Sequence, residues 1–303
     1  GWRESNRHTA AARSGSGLMG PTIIVAASNA HADVIASTGA TYQCDGTDDH
    51  VQIQQAITDL PAAGGTVLLS EGTFSVGANW DTLKSNLYLR GQGESTIIQL
   101  ATGANGRMMD NSLTLSNITF DSIVFDGNGS NQSDGADRDA RSLLYLENIT
   151  GFTVMNCVIK NCRSGAALRL NACDRTLYIG NRFLDNGYTG SIFIGDHSFI
   201  SNSEWYRVTG NYYESSTDTG TAQDGVQHST VYGNIYNNCE LGISVSNSTT
   251  EACRFNTVSN NVIKGKGGDS GTANAAVDTT NGTPGTLTDS REAWTVNQWA
   301  GNT

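Results

Sequence analysis

Charge is scarce in this chain, and positive charge scarcest. Charged residues make up 16% of the 303, and 18 Lys and Arg face 29 Asp and Glu, for a formal net charge of -11. So acidic a surface argues against nucleic acid and anionic membranes as main partners. Proline is nearly absent at 3, against 35 glycines. Few charges with much Gly, Ser, Thr and Asn fit tight turns between short strands. No apolar run approaches the ~20 residues that span a bilayer as a helix, so membrane insertion is not expected. The six cysteines include no CxxC pair, and no His stands at zinc-ligand spacing from them. They read as small hydrophobes of a core, with one disulfide left open. No serine nucleophile elbow, phosphate-binding loop or metalloprotease signature is present. No signal-peptide pattern opens this sequence; the expected location is extracellular, by a signal lying outside this sequence or by another route, or on a virion.

What is there is a repeat. An apolar strand, an Asn, two or three strand residues and a polar turn recur around Asn156, Asn181, Asn211, Asn234 and Asn261, at spacings of 25, 30, 23 and 27 residues. A period in this range marks a solenoid, which grows by adding coils and overrides the two domains that the length suggests. The short β-rich units predict an all-β fold, a single-stranded right-handed parallel β-helix. Each Asn is expected at the same turn of successive coils, bonding the backbone and the next Asn.

The predicted organisation is a mobile segment over 1–20, a β-helix over 21–285 and a C-terminal tail or cap over 286–303. A short amphipathic helix is predicted over 48–60, with Thr47-Asp48-Asp49 as its N-terminal cap. Strands follow at 66–70, 86–89 and 96–100, then a polar insertion from Asp126 to about Arg141. One further strand is expected near 275–277, and Trp294 and Trp299 are candidates to cover the C-terminal end.

The phrase DGTDDHVQIQQAI…LPAAGGTVLLSEGTF, followed by LRGQGESTIIQL, resembles the N-terminal end of pectate-lyase-superfamily β-helix proteins. These include polysaccharide lyases, glycoside hydrolases and phage tailspike-type depolymerases. The resemblance covers roughly Cys44 to Gly268 and implies a helix that caps the open end of the solenoid. It implies a polysaccharide or oligosaccharide ligand, and a chain that is monomeric or trimeric.

A β-helix binds along one sheet face, so outward residues of the strand before each Asn phrase are the candidates. Alternation aligns Tyr145, Arg169, Phe193, Gln227 and Ser244. At ~4.8 Å per coil they span roughly 20 Å, enough for a few sugar rings. His228 stands at an inward position of the same pattern and joins the substrate-binding set. Acids at the edges supply the chemistry. Asp224 and Glu240 are the favoured pair, with Asp218 and Asp196 as substitutes, because neighbouring rungs bring two carboxylates to the ~5 to 10 Å separation that glycosidases use. The expected function is an endo-acting glycoside hydrolase with no cofactor. Two alternatives stay open. One is a uronate lyase with Arg169 as its carboxylate-binding group or base, and calcium held by Asp134, Asp137 and Asp139. The other is a non-catalytic carbohydrate-binding or virion structural β-helix.

Overall fold

The structure is a computed structural model that describes residues 20–32, 40–77, 79–133, 142–187, 198–215, 219–239, 241–246, 254–265, 270–277, 287–288 and 293–294. It is a right-handed parallel β-helix with one short α-helix among the described residues. Three columns of parallel strands run its length. The first climbs from Thr22–Ala26 through Gly65–Leu69, Leu87–Arg90 and Leu115–Asp121 to Thr230–Tyr232. The second climbs from Gly72–Val76 through Thr96–Leu100 and Val158–Lys160 to Ile235–Cys239. Both end on the long strand Asn256–Gly265. The third is a six-stranded short sheet: Met109–Asn111, Leu144–Glu147, Leu168–Asn171, Ser198–Ser201, Thr219–Asp224 and Leu241–Ser246.

Alternation decides what faces the core. The first column stacks Val67, Leu89, Phe120, Val154, Tyr178, Val208 and Val231 in register, all fully buried. The second stacks Phe183, Tyr213 and Tyr236 ring on ring, with centroids 4.8 and 4.6 Å apart and planes within 9°. Each such side chain contributes roughly 1.5–3 kcal/mol by burial. Cys44, Cys157, Cys162, Cys173 and Cys239 are buried, as small hydrophobes should be. Burial pushes the Cys157 and Cys173 thiols up to about 12. Cys253 lies outside the described residues.

The asparagines form the expected ladder, with one correction. The Asn181 backbone N–H and side-chain amide both donate to Oδ1 of Asn211, at 2.9 Å each. Asn211 donates to Asn234, and Asn234 to Asn261, in the same way. Each side chain also donates across the coil to a strand carbonyl, as Asn181 does to Val154. The rung below Asn181 is Cys157, whose N–H donates to the Asn181 side chain. Asn156 stands one residue out of register. Its φ of 53° aligns it with Gly180, Gly210, Gly233 and Asn260, at φ between 54° and 64°. Asn and Gly are the residues that enter the left-handed region at least cost.

The capping helix runs His50–Asp59 and buries Ile53, Ala56 and Ile57 over the first coil. Asp49 is its N-cap residue, yet its side chain caps nothing. The buried carboxylate instead accepts the N–H groups of Gly46 and Ser75, both at 2.8 Å, tying the turn before the helix to the second column. At the other end the strand Ser270–Val277 is longer than expected. It pairs antiparallel with Asn256–Gly265, so the last coil is covered by a reversed strand. Trp294 lies in a short strand, Ala293–Trp294, paired with Leu287–Thr288; Trp299 lies outside the described residues.

Candidate functional site

The outer face of the short sheet gathers polar and aromatic side chains in two rows. Parallel register aligns Asp110, Tyr145, Arg169, Phe199, Ala222 and Ser244 in the first. The second, two residues further along each strand, aligns Glu147, Asn171, Ser201 and Asp224. Inward positions between them are apolar in the early coils: Leu144, Leu146, Leu168 and Leu170 are fully buried. They become hydroxyl- and amide-bearing later, at Ser198, Thr221 and Gln223.

Cations and rings alternate up the first row. The Arg107 guanidinium lies 3.9 Å from the centre of the Tyr145 ring. Arg169 lies 5.5 Å from that ring and 4.9 Å from the ring of Phe199. Each such contact is worth ~0.5–2 kcal/mol, more as water is excluded. Arg107 also grips Asp110 through both carboxylate oxygens at 3.0 Å, which fixes its plane. In the second row, the Tyr145 hydroxyl donates to Glu147. Asn171 donates to the same carboxylate at 2.9 Å and accepts from Ser201 at 3.0 Å and Asn202 at 3.1 Å. Burial and the Glu147 carboxylate push the Tyr145 phenol up to about 12 against the opposing pull of Arg169 and Arg107, so it stays a donor at neutral pH.

The sequence placed Tyr145, Arg169 and Ser244 correctly, in one outward column. It misplaced the two residues expected between them. The rung above Arg169 is Phe199, and Phe193 lies outside the described residues. The rung above that is Ala222. Gln227 sits beyond the sheet, bridged to Glu204 and Arg254 at the next corner. His228 follows it there, at φ 53°, and does not reach this face. Asp224 does lie on the face, but as the last residue of its strand and not at the entry expected. Glu240, Asp218 and Asp196 lie outside the described residues, as do Asp134, Asp137 and Asp139 of the insertion. Among the described residues no group of three or more His, Cys, Asp or Glu could hold a metal ion. Sequence reasoning passed over Arg107, Asp110 and Phe199. The alternation Met109-Asp110-Asn111 pairs with Leu144-Tyr145-Leu146, but three residues are too few to stand out without the register.

No protein-family model matches the sequence, and no curated protein does. Solved structures do match. The chain shares the fold of β-helix proteins. The pre-mature bacteriophage phi29 gene product 12 superposes with a TM-score of 0.55 at 19% identity, over 72% of this chain and 31% of that one. An exopolygalacturonase from Thermotoga maritima gives 0.55 at 14% identity, over 71% and 63%. The DFA-IIIase of Arthrobacter chlorophenolicus A6 gives 0.51 at 13% identity, over 80% and 68%. The chain thus spans less than two thirds of the length of the first two. The resemblance to pectate-lyase-superfamily β-helix proteins holds at the level of the fold.

Proposed function

We propose that the short-sheet face binds a polysaccharide laid along the solenoid axis and that carboxylates on this face hydrolyse it at internal linkages. The observation that carries the reading is the alternating row Arg107, Tyr145, Arg169 and Phe199. Rings offer apolar surface to sugar C–H groups, and guanidinium edges offer donors to hydroxyl or carboxylate oxygens. Rungs ~4.8 Å apart make the row a track several sugars long. The exopolygalacturonase similarity supports a sugar ligand at the level of fold. The phi29 protein supports a virion or extracellular location in the same limited way.

Three described acids share the face: Asp110, Glu147 and Asp224. Asp110 and Glu147 are offset by one rung and two residues, a Cα separation of roughly 8 Å from strand geometry. Carboxyl separations of roughly 5–9.5 Å serve retaining and inverting hydrolysis. Asp224 with Glu240 remains the second pair, with Asp218 and Asp196 behind it. In the hydrolytic reading one acid protonates the leaving oxygen and the other activates water or attacks. Elimination from a uronate is the second reading, favoured by the cation Arg169 held between two rings. There, Arg169 would neutralise the substrate carboxylate, with or without calcium.

The test is a polysaccharide panel followed for new reducing ends and for absorbance of unsaturated products. Hydrolysis gives reducing ends alone, and elimination gives both. Glycan binding with neither signal would overturn the catalytic half of the proposal. Arg169→Ala and Tyr145→Ala should each weaken binding about tenfold, the loss of one donor group or one ring from the track. If Asp110→Asn, Glu147→Gln, Asp224→Asn and Glu240→Gln all hydrolyse normally, the acids have been misassigned.

A further inference from the structure

The corner between the short sheet and the first column carries a second ladder that the proposed site does not use. Trp205, His228 and Phe255 occupy its left-handed position on successive coils, at φ 53–56°. Their rings stack with centroids 4.3 and 4.8 Å apart and planes within 6° and 14°. Arg175 holds the same position one coil earlier, at φ 53°. Bulky residues seldom occupy this region, and here they stand outward. Trp205 is 57% and Phe255 60% exposed.

One residue before each ladder position, bridged in a column, stand Asp174, Glu204, Gln227 and Arg254. That column is acidic at its early end and basic at its late end. We propose that this corner is a self-association surface, on which a second copy of the chain docks antiparallel about a twofold axis. A twofold interface must be complementary to itself. An antiparallel copy brings Arg254 of one chain to Asp174 of the other, Glu204 to Gln227, and Arg175 to Phe255. A parallel copy would set acid against acid. Both copies repeat every ~4.8 Å, so rungs that match at one level match at all of them. The exposed parts of Trp205 and Phe255 supply on the order of 200 Å². This is about a quarter of the ~800 Å² per partner of a stable interface, and Glu204 and Arg254, exposed beside the rings, extend it.

Sedimentation velocity of the full chain from nanomolar to high micromolar concentration tests the proposal. The mass should double with rising concentration. Trp205→Ser with Phe255→Ser should abolish the doubling, with circular dichroism and the thermal transition showing that the coils remain. Arg254→Asp should abolish it too, and adding Asp174→Arg should restore it. A monomer at every concentration overturns the proposal, and so does a trimer. A dimer indifferent to the ring substitutions, or a folded charge-swapped variant that stays monomeric, overturns it as well. A monomer whose glycan binding falls with the ring substitutions would hand the ladder to carbohydrate.

Discussion

Replacing Asn211 by Ala isolates what the asparagine ladder contributes. The side chain accepts from the Asn181 backbone and amide groups at 2.9 Å. It donates to Tyr178, Thr209 and Asn234 at 3.2, 3.1 and 3.0 Å. Truncation leaves the buried Asn181 N–H without its acceptor. It also removes one partner each from the Asn181 amide and the Asn234 carbonyl. An unsatisfied buried group costs ~1–3 kcal/mol, so one full orphan and two partial ones predict a loss of about 3–5 kcal/mol. Asn156→Gly is the matched control. It sits one residue off the ladder, at φ 53°, where Gly is at ease, and gives up one bond to Asp121. Its loss should stay below ~1.5 kcal/mol. Urea unfolding followed by circular dichroism gives both values, and amide hydrogen exchange localises them, because solenoid coils can open separately. The Asn181 amide should lose protection in the Ala variant. Were Asn211→Ala to cost under ~1 kcal/mol, or Asn156→Gly to cost as much, the ladder would not be the scaffold's fastening.

The remaining expectations concern the core and its cap. Asp49→Ala should cost about 2–4 kcal/mol, since Gly46 and Ser75 lose a shared acceptor; limited proteolysis near the helix reads it directly. Gly64→Ala should be worse than Gly210→Asn. A Cβ at Gly64 would sit 2.3 Å from the Asn86 carbonyl oxygen, whereas at Gly210 it meets nothing within 4 Å. Denaturation midpoints should place Gly210→Asn within about 1 kcal/mol of the parent. At most one of the six thiols should react with a thiol reagent at neutral pH, because five are buried. The same burial holds the Cys157 and Cys173 protons to about 12 against an ordinary 9.0. The unfolded chain gives up these protons first, so this share of stability is whole below about pH 9 and drains away toward pH 12. A flat thermal midpoint across that window would contradict the sign.

How far the sequence could be read follows from where its signals are strong. Periodicity and the capping phrase fixed the β-helix, and the alternation in Leu144-Tyr145-Leu146 and Leu168-Arg169-Leu170 found the face. The reading slipped in the next two coils, where the short strand is built from Ser198-Phe199-Ile200 and Thr221-Ala222-Gln223. Three of their four inward positions, Ser198, Thr221 and Gln223, are hydroxyls and an amide, and only Ile200 is apolar. Ser198 bonds the Gly220 carbonyl, Thr221 lies 3.0 Å from the Tyr236 hydroxyl, and Ser229 donates to Gln223. A core satisfied by hydrogen bonds shows no apolar alternation, and the more apolar Val226-Gln227-His228 took its place in the pattern. The corners were hidden for a related reason. Beside Gly151 and Gly225, their left-handed residues include Ala172, Arg175, Trp205, His228 and Phe255, none of which announces a turn as Gly does.

The uneven asparagine spacing has two sources. Between the short sheet and the first column, the segments after Asn171, Ser201 and Asp224 are equal in length, as are those after Ile179, Thr209 and Tyr232 between the columns. The run from the second column into the short sheet varies, from Lys160 to Leu168, Leu184 to Ser198, and Glu214 to Thr221, and the last corner from Ser246 to Thr257 is longer than the corners before it. The molecule therefore separates what must stay in step from what is free to differ. Residues added or removed at these corners change the borders of the short sheet and leave every rung of the asparagine ladder in place. A chain built this way can change one border of a sheet without refolding its scaffold.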